Sequence, residues 1–321
     1  MSGPQDSPLI IALPSKGRLK EQVEAWLSDC GIDLAVSGGA RGYLASLKGL
    51  PGAQVRLLSA ADIADALHRG EVHLGITGED LLRETGADLD GRVLLLRALG
   101  FGRADLVVAA PKSWLDVETM ADLEEVAHDY LARTGRRMRV ATKYLAQTRT
   151  FFARHGVVDY RITESGGATE GAPAAGAAEL VVDITTTGAT LQANGLKVLD
   201  DGVILKSQAQ LAASLKAAWT PTQLASAEQL LRIVDARAAA LTSATLIWPA
   251  SGDALEAGVV DGLVKSGATR RPNGLLVSAG DVAQASAALT AAGLGPVTAS
   301  RPDFVFEIGC PGFQALEKQV L

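Results

Sequence analysis

Apolar runs and helically spaced apolar positions alternate through the first hundred residues of the chain. Short apolar runs typical of buried strands lie at residues 9–13, 55–58 and 74–77. Between them, apolar residues recur every three or four positions, which predicts helices over about residues 19–30 and through 63–67. This alternation predicts a mostly parallel sheet, and such sheets bind ligands at the carboxyl ends of their strands.

A second alternating unit begins at residues 105–109, and the chain then returns to the first unit. The predicted elements of the second unit are strands at 139–141, 160–163 and 180–184 and a helix near 148–155. Residues 195–207 lead back, and positions 203–205 within them form one more apolar strand. The pattern predicts two α/β lobes joined by crossing segments, with a cleft between them.

After Ser207 the pattern changes to a long Ala-rich helix and a smaller unit. The predicted elements are a helix over 222–241, a strand at 245–248, a helix at 254–266, strands at 268–271 and 274–278, a helix at 281–292 and a strand at 303–307. The order βαββαβ is the ferredoxin-like pattern. It is compatible with a regulatory role or with a structural role in assembly.

These patterns predict an α/β protein of three parts. Lobe I comprises residues 1–105 and is completed by about 190–220, lobe II comprises 106–189, and a C-terminal regulatory or assembly domain comprises 221–321. The length of 321 residues suits two or three domains, and a hydrophobic fraction of 48% indicates an ordered core.

The most informative candidate site is at residues 181–191, where an apolar strand ends in Asp183. The loop that follows contains Thr186, Thr187, Gly188, Ala189 and Thr190. Such a loop offers an anion hydroxyl groups, backbone N–H groups and the positive end of a helix dipole. The carboxylate of Asp183 is suited to ribose hydroxyls or to a metal ion. The segment therefore indicates a phosphate-binding loop, and the alternative is an ordinary turn before a Thr-capped helix.

Further polar side chains follow or flank other predicted strands. They are Lys16 and Arg18 after the first strand, Thr77 and Gly78 after the third, and Arg103, Lys143 and Glu170 in the second unit. The basic residues suit phosphate groups, but a basic pair in a loop is also typical of a solvated surface. Residues 77–80 also resemble a helix start, and Glu170 also suits the first turn of a helix.

Composition excludes several classes of protein. A net charge of −6 and an aromatic content of 4% do not suit a general nucleic-acid binder. Cys30 and Cys310 lie far apart without metal-ligand spacing, and the four His residues form none. The first residues carry no basic segment of a signal peptide, and no apolar run approaches the roughly 18 residues of a membrane span. We therefore expect a cytoplasmic protein without a membrane or nucleic-acid partner.

Six segments, taken in order, resemble the ATP phosphoribosyltransferase family over residues 8–215. They are 10–19, 74–80, 100–111, 140–144, 167–173 and 181–191. The resemblance implies a two-lobed fold of the periplasmic-binding-protein type. It also implies the first reaction of histidine biosynthesis, in which N1 of ATP attacks C1 of phosphoribosyl pyrophosphate and releases pyrophosphate.

The resemblance also implies roles for individual residues. Lys16, Arg18 and Asp183 would be catalytic, the loop of Asp183, Thr186, Thr187, Gly188, Ala189 and Thr190 would bind phosphoribosyl pyrophosphate, and Thr77, Gly78, Arg103, Lys143 and Glu170 would contact the nucleotide. The attacking nitrogen has a free lone pair, so the chemistry needs positioning and charge stabilisation more than a strong base. Mg²⁺ would act as the cofactor, bound mainly through substrate phosphates, and the sequence does not identify its protein ligands.

The chain departs from the family pattern at three places. Residues 59–64 read Ser-Ala-Ala-Asp-Ile-Ala where Arg-x-x-Asp-Ile-Pro is common, residues 144–149 lack the usual Pro-Asn, and 167–170 read Gly-Ala-Thr-Glu for Gly-Ser-x-Glu. These changes affect nucleotide contacts more than the phosphate loop. No stretch of the C-terminal part closely matches the family's regulatory domain.

Partners follow from the resemblance in the same way. The substrates would be ATP and phosphoribosyl pyrophosphate, L-histidine would be a feedback ligand, and the chain would form a homo-oligomer, a dimer or a hexamer. A separate subunit resembling histidyl-tRNA synthetase is an alternative source of regulation. The alternatives to an enzyme are a two-lobed binding protein, the ligand domain of a regulator or a non-catalytic subunit. The chain contains no basic helix-turn-helix segment and retains the phosphate loop, which favours the enzyme.

Overall fold

The computed structural model describes residues 7–37, 44–86, 88–249 and 254–321. Its strands are β1 (Leu9–Pro14), β2 (Asp33–Ser37), β3 (Leu44–Lys48), β4 (Ala53–Leu58), β5 (Leu74–Gly78), β6 (Val93–Ala98), β7 (Ala104–Pro111), β8 (Met138–Thr142), β9 (Tyr160–Glu164), β10 (Leu180–Thr185), β11 (Leu196–Ser207), β12 (Ala209–Ser214), β13 (Ser243–Ile247), β14 (Thr269–Arg271), β15 (Gly274–Ser278) and β16 (Thr298–Ser300). Its α-helices are α1 (Gly17–Asp29), α2 (Ala60–Arg69), α3 (Glu79–Thr85), α4 (Met120–Thr134), α5 (Leu145–Arg154), α6 (Ala189–Ala193), α7 (Pro221–Leu241), α8 (Ala254–Lys265), α9 (Val282–Ala291) and α10 (Pro311–Val320).

Lobe I contains a seven-stranded sheet in the order β2-β3-β4-β1-β5-β12-β6. The central strand β1 is parallel to both β4 and β5, as the sequence predicted, and β12 is antiparallel to β5. Helix α2 begins where Ser59 accepts a hydrogen bond from the backbone N–H of Asp62. It ends at Gly70 in the left-handed conformation, where a Cβ atom would lie within 2.9 Å of backbone atoms of Lys216 and Ala217.

Lobe II contains a five-stranded sheet in the order β11-β7-β10-β8-β9. Strands β8, β9 and β10 run parallel, and β7 is antiparallel to β10. Helix α4 begins with a capping box in which Thr119 and Asp122 satisfy each other's backbone N–H groups. Its Leu123 and Ala127 pack into the core on one face of the sheet.

The chain crosses between the lobes at residues 99–103 and 207–209. The two crossing segments hold each other, because the backbone N–H of Ala209 donates to Phe101 O at 3.0 Å and that of Leu99 donates to Ala209 O at 2.9 Å. In addition, the side-chain oxygen of Gln208 accepts from the backbone N–H of Gly100. The predicted two-lobed α/β fold with a cleft is confirmed.

The C-terminal sheet has the order β14-β15-β13-β16, which is the ferredoxin-like order of a βαββαβ unit. The predicted strand at 303–307 is wrong, because the fourth strand is β16 (Thr298–Ser300). Residues 303–307 instead run along α7, where the backbone N–H of Val305 donates to Ala236 O. This packing buries Val305, while Phe306 stays 62% exposed and stacks its ring on that of Phe304.

Helices α7 and α10 pack against lobe I. Four residues of α7 belong to the core cluster that α1 and β1 also form: Ala227, Leu230, Leu231 and Val234. Cys310 and Leu316 from the C-terminal end join the same cluster. The C-terminal part therefore packs on lobe I through α7 at its beginning and through Cys310 and α10 at its end. Within the described residues, no helix combines the length and the apolar character needed to cross a membrane.

Candidate active site

The cleft lies where the parallel strands of both lobes end. In lobe I, β1 and β5 lead into Ser15–Arg18 and Glu79–Asp80, and in lobe II, β8 and β10 lead into Lys143–Tyr144 and the loop after Thr185. Contacts between α3 and α5 join these two edges directly. These loops are the ones in which the sequence places the site, at the carboxyl ends of the strands.

The loop after β10 is shaped by its own hydrogen bonds. The backbone N–H of Gly188 donates to Thr185 Oγ1 at 2.8 Å, and Gly188 has a φ of +75°, which favours glycine. The hydroxyl of Thr186 donates to the carbonyl of Arg103 at 3.3 Å, which ties the loop to the crossing segment. Thr186, Thr187, Ala189 and Thr190 remain exposed. The predicted helix after this loop is the five-residue α6.

Two cavities of about 410 Å³ flank the residues Thr185 and Thr186. Lys112 and Lys197 line one cavity, and Arg103 and Lys206 line the other. Asp105 lines both cavities, so each contains two cationic side chains and one acidic one beside the phosphate-loop candidate.

Asp183 lies near three other polar side chains of lobe II. Burial raises the pKa of the Asp183 carboxyl, while the adjacent N–H of Ile184, the charge of Lys143 and the neighbouring Thr169 side chain oppose this rise, and Glu170 adds to it. The structure therefore brings together the predicted residues Asp183, Lys143 and Glu170. Thr169, which the sequence analysis passed over, belongs to the same group.

Glu170 sits in a single turn of 3₁₀-helix, Thr169–Gly171. Ala168 precedes this turn with a φ of 50°, a conformation that L-residues seldom adopt. The hydroxyl of Thr169 donates to Ser165 Oγ at 3.1 Å and so holds the turn against the end of β9. Glu170 is half-buried in the first turn, and its charge acts on Asp183.

In lobe I, Lys16 and Arg18 flank Gly17 at the start of α1, and both side chains are exposed. Neither forms an ion pair within the part of the chain that the structure describes. Gly17 has a φ of +75°, so the loop reverses between the two basic residues. Both charges are therefore available to an anion.

Thr77 and Gly78 have structural roles at the end of β5. Thr77 is fully buried, and its hydroxyl donates to the carbonyl of Ala60 at 2.7 Å, which positions the start of α2. A Cβ atom on Gly78 would collide with the carboxylate of Asp80. This turn consequently offers a ligand its backbone more than its side chains.

The contact that the sequence analysis missed joins Asp80 to lobe II. The buried Tyr144 hydroxyl donates to Asp80 Oδ2 at 2.8 Å, and the Ser207 hydroxyl donates to Asp80 Oδ1 at 2.8 Å. Burial, and then the charge of Asp80, raises the pKa of Tyr144. Asp80 and Tyr144 are 64 positions apart and Asp80 and Ser207 are 127 apart, so no local sequence pattern signals the group.

Comparison with known proteins identifies the family. The sequence model described as "HisG: ATP phosphoribosyltransferase" matches residues 59–236. An ATP phosphoribosyltransferase of Caulobacter vibrioides is 67% identical over 301 residues, which cover 94% of this chain and 94% of that protein. This chain belongs to the ATP phosphoribosyltransferase family. A relative from Afipia carboxidovorans is 58% identical over 234 residues, covering 73% of this chain and 72% of that protein.

A solved structure has a related fold. The ATP phosphoribosyl transferase (HisG:HisZ) complex from Thermotoga maritima contains a chain with a TM-score of 0.52 and 25% sequence identity. The match covers 71% of this chain and 98% of that one. As a member of the family, the protein is a glycosyltransferase that carries out the first step of histidine biosynthesis. The relatives are named for catalysis, and this does not favour the alternative of a non-catalytic binding or regulatory subunit.

Proposed function

We propose that the cleft binds phosphoribosyl pyrophosphate on lobe II and that the loop from Asp183 to Thr190 holds its 5-phosphate and ribose. The observation that carries this proposal is the exposed row of hydroxyls in Thr186, Thr187 and Thr190 beside the half-buried Asp183. The hydroxyls suit phosphate oxygens, and a carboxylate suits ribose hydroxyls. Gly188 and Ala189 would shape the loop around the phosphate, because their N–H groups donate to Thr185 Oγ1 and Thr187 Oγ1.

Lys16 and Arg18 would act on the leaving pyrophosphate from lobe I. Negative charge grows on that group as its bond to C1 of the ribose breaks, and cations placed beforehand stabilise this charge most in the transition state. Since N1 of ATP already carries a lone pair, the protein mainly has to align the two substrates. We assign Lys16, Arg18 and Asp183 as the catalytic residues.

The nucleotide would lie between the two lobes. Lys143 and Glu170 stand beside Asp183, and Arg103 adjoins the phosphate loop. Thr77 and Gly78 contribute the turn after β5, whose backbone borders the cleft. ATP bound among these groups would meet the phosphoribosyl substrate across the cleft.

Mg²⁺ would be the metal, bound mainly through substrate phosphates. Within the described residues there is no group of three or more His, Cys, Asp or Glu side chains placed to hold an ion. Asp183 and Glu170, however, are close enough for the charge of one to raise the pKa of the other. Mg²⁺ commonly uses one or two carboxylates together with substrate phosphates. When bound, the ion would neutralise charge on pyrophosphate oxygens.

The lobe limits expected from the sequence, 1–105 with about 190–220 and 106–189, are corrected by β11, which belongs to the sheet of lobe II, so that lobe I is completed from β12 onward. We further propose that residues 221–321 form the regulatory or assembly domain. The ferredoxin-like sheet order supports such a domain. L-histidine would bind there as a feedback ligand, and the chain would assemble as a dimer or a hexamer. The Thermotoga maritima structure is a HisG:HisZ complex, so a separate regulatory subunit is the competing arrangement. A biosynthetic enzyme that uses ATP would work in the cytoplasm.

The substrate assignment is tested with Lys16→Met and Arg18→Met. We expect each to lower kcat for product formation from ATP and phosphoribosyl pyrophosphate, with pyrophosphate release falling in parallel. Lys20→Met is the matched control, because Lys20 lies on the same helix but pairs with Glu24. Unchanged kcat in both variants would contradict the assignment. Activity that survives chelation of Mg²⁺ would contradict the metal assignment.

The role of the C-terminal domain is tested separately. Calorimetric titration of the full chain with L-histidine should show binding, and activity should fall with a coupling of about 1–3 kcal/mol. The molar mass measured by light scattering gives the assembly state. An absence of histidine binding would contradict feedback at this domain, and activity only after addition of a second subunit would favour the competing arrangement.

A further inference from the structure

A carboxylate of lobe I is enclosed by groups from outside the lobe. Asp80, at the start of α3, is only 6% exposed. Its two oxygens accept hydrogen bonds from Tyr144 in lobe II and from Ser207 on the crossing strand. The Ser207 hydroxyl also accepts from the backbone N–H of Asp80 at 3.0 Å. A buried carboxylate of this kind strongly favours the one arrangement in which all its partners are present.

A second carboxylate of α3 supports the same arrangement. Glu84 accepts hydrogen bonds from the backbone N–H groups of Ala146 at 2.8 Å and Gln147 at 3.2 Å. Helix α5 has no side-chain cap of its own, so lobe I supplies the cap of a lobe II helix. The side-chain amide of Gln147 returns a hydrogen bond to the carbonyl of Asp80 at 2.9 Å. The two lobes are therefore fastened at α3 and α5.

The contacts between α3 and α5 lie next to the proposed site. Tyr144 follows Lys143 in the chain, and the Lys143 ammonium lies 5.2 Å from the centre of the Tyr144 ring. The charge of Lys143 in turn acts on Asp183. The ring of Tyr144 is thus held by lobe I at its hydroxyl and contacts a substrate-binding side chain at its face.

We propose that Asp80, Tyr144 and Ser207 are positioning residues that set the angle between the lobes, so that Lys143 and Asp183 face Lys16 and Arg18 in the reactive arrangement. This inference rests on the proposed function for the place of the substrates. The reaction joins two substrates bound on different surfaces of the cleft, and a misplacement of about 1 Å can lower a rate on the order of 100-fold. The three residues act through this alignment and need no contact with either substrate.

The test is Tyr144→Phe, which removes one hydrogen bond and keeps the ring. We expect the single-turnover rate and kcat to fall roughly 10- to 100-fold. The Kd of phosphoribosyl pyrophosphate, measured without ATP, should change less than about twofold, because lobe II holds its 5-phosphate and ribose and the lobe I cations act mainly on charge that grows in the transition state. Tyr130→Phe is the matched control, since its phenol donates to the carboxylate of Glu179 within lobe II at 3.2 Å. It should leave the rate unchanged.

Ser207→Ala provides a second variant that removes a different hydrogen bond to the same carboxylate, and it should show the same split between rate and Kd. In an Asp80→Ala background, Tyr144→Phe should lower the rate by less than it does alone, because the acceptor of both hydroxyls is already removed. A folded Tyr144→Phe enzyme with an unchanged rate would overturn the proposal. So would a fall in rate matched by an equal loss of phosphoribosyl pyrophosphate affinity.

Lys143→Met separates this inference from the substrate assignment. If Lys143→Met changes neither substrate's affinity nor kcat while Tyr144→Phe still lowers the rate, the role of Lys143 fails and the positioning role stands. If Lys143→Met lowers activity while Tyr144→Phe and Ser207→Ala do not, the positioning role fails and the site assignment stands.

Discussion

Asp235 on α7 forms an ion pair with Arg97 on β6, the edge strand of lobe I. The other carboxylate oxygen of Asp235 accepts hydrogen bonds from the Cys310 thiol at 3.4 Å and from the backbone N–H of Gly312 at 3.3 Å. One half-buried carboxylate therefore joins lobe I, the helix that leaves it and the C-terminal helix α10. The cavity of about 500 Å³ beside this junction is lined by Arg97 and Asp235.

Replacement of Asp235 should loosen this junction. Asp235→Ala removes the acceptor of three donors, and we expect a loss of about 2–4 kcal/mol in the free energy of unfolding. Glu228→Ala is the matched control: it breaks the exposed pair with Arg232 on the same helix and should cost under about 1 kcal/mol. Urea unfolding followed by circular dichroism measures both. Equal losses in the two variants would show that Asp235 is not a junction residue.

Asp183 should illustrate a conflict between stability and catalysis. Burial raises its pKa, so the folded protein binds this proton more tightly than the unfolded chain. Stability is therefore lost as the pH rises from the ordinary value of 3.8 through the raised value. At pH 7, Asp183→Asn should raise the free energy of unfolding by about 0.5–2 kcal/mol.

The same substitution should lower kcat by at least about tenfold, since the amide replaces one acceptor oxygen and the negative charge near ribose and metal. Glu164→Gln is the control, because Glu164 is an exposed acid at the end of the neighbouring strand β9. Steady-state kinetics and thermal unfolding at pH 7 provide the two measurements. If Asp183→Asn were less stable and equally active, Asp183 would be a structural residue.

Local periodicity predicted the elements that carry their own signal. Strands β1 and β5 are short apolar runs with nearly every residue buried, and α2 places Ile63 and Leu67 on one face. The pair β2 and β3 was missed because only alternate residues of β3 are buried, and the strands lie at the edge of the sheet. Strand β16 was missed because its three residues are exposed. The run at 303–307 gave a false strand, since Val305 is buried against α7 without pairing in a sheet.

Some residues of the site could likewise be predicted from the sequence, and others could not. Loops after parallel strands converge whatever the rest of the chain does, so the sequence could indicate that Lys143, Glu170 and Asp183 belong to one cleft. The partners of Asp80 could not be predicted, because they depend on how the two lobes dock. Thr77 also illustrates the limit: a buried hydroxyl bonded to Ala60 and a ligand-binding hydroxyl look alike in a sequence.

The ion pair of Arg139 and Glu179 predicts that the free energy of unfolding depends on pH in the acid range. Partial burial opposes ionisation of Glu179, but hydrogen bonds from the side chain and backbone N–H of Arg139 outweigh it and lower the pKa of Glu179. The ionised Glu179 therefore stabilises the fold fully above its ordinary pKa of 4.5, and this stabilisation is lost as the pH falls through the lowered pKa. Glu179→Gln should therefore cost about 1–2 kcal/mol at pH 7 and much less near about pH 3.

The activity of Glu179→Gln at pH 7 should equal that of the unchanged enzyme, because Glu179 precedes β10 and Asp183 lies near the other end of that strand. Urea unfolding at the two pH values measures the difference. A loss of stability that is independent of pH would show that the side chain acts by packing and not by its charge.

Thr187 and Thr190 provide the most direct test of the phosphate loop. Both are exposed, and replacement by Val keeps their shape but removes the hydroxyl. A charge-assisted hydrogen bond to phosphate is worth roughly 1.5–3 kcal/mol, so each variant should weaken binding of phosphoribosyl pyrophosphate about 10- to 150-fold. The melting temperature should stay the same, because neither hydroxyl supports a buried group.

Thr185→Val gives the contrasting case. Thr185 Oγ1 accepts the hydrogen bond from the Gly188 N–H that shapes the loop, so its loss should reduce stability by about 1 kcal/mol as well as affinity. Equilibrium binding of phosphoribosyl pyrophosphate and thermal unfolding separate the two patterns. If Thr187→Val and Thr190→Val bind this substrate as tightly as the unchanged enzyme while only Thr185→Val weakens it, the hydroxyls form a turn and the 5-phosphate binds elsewhere in the cleft.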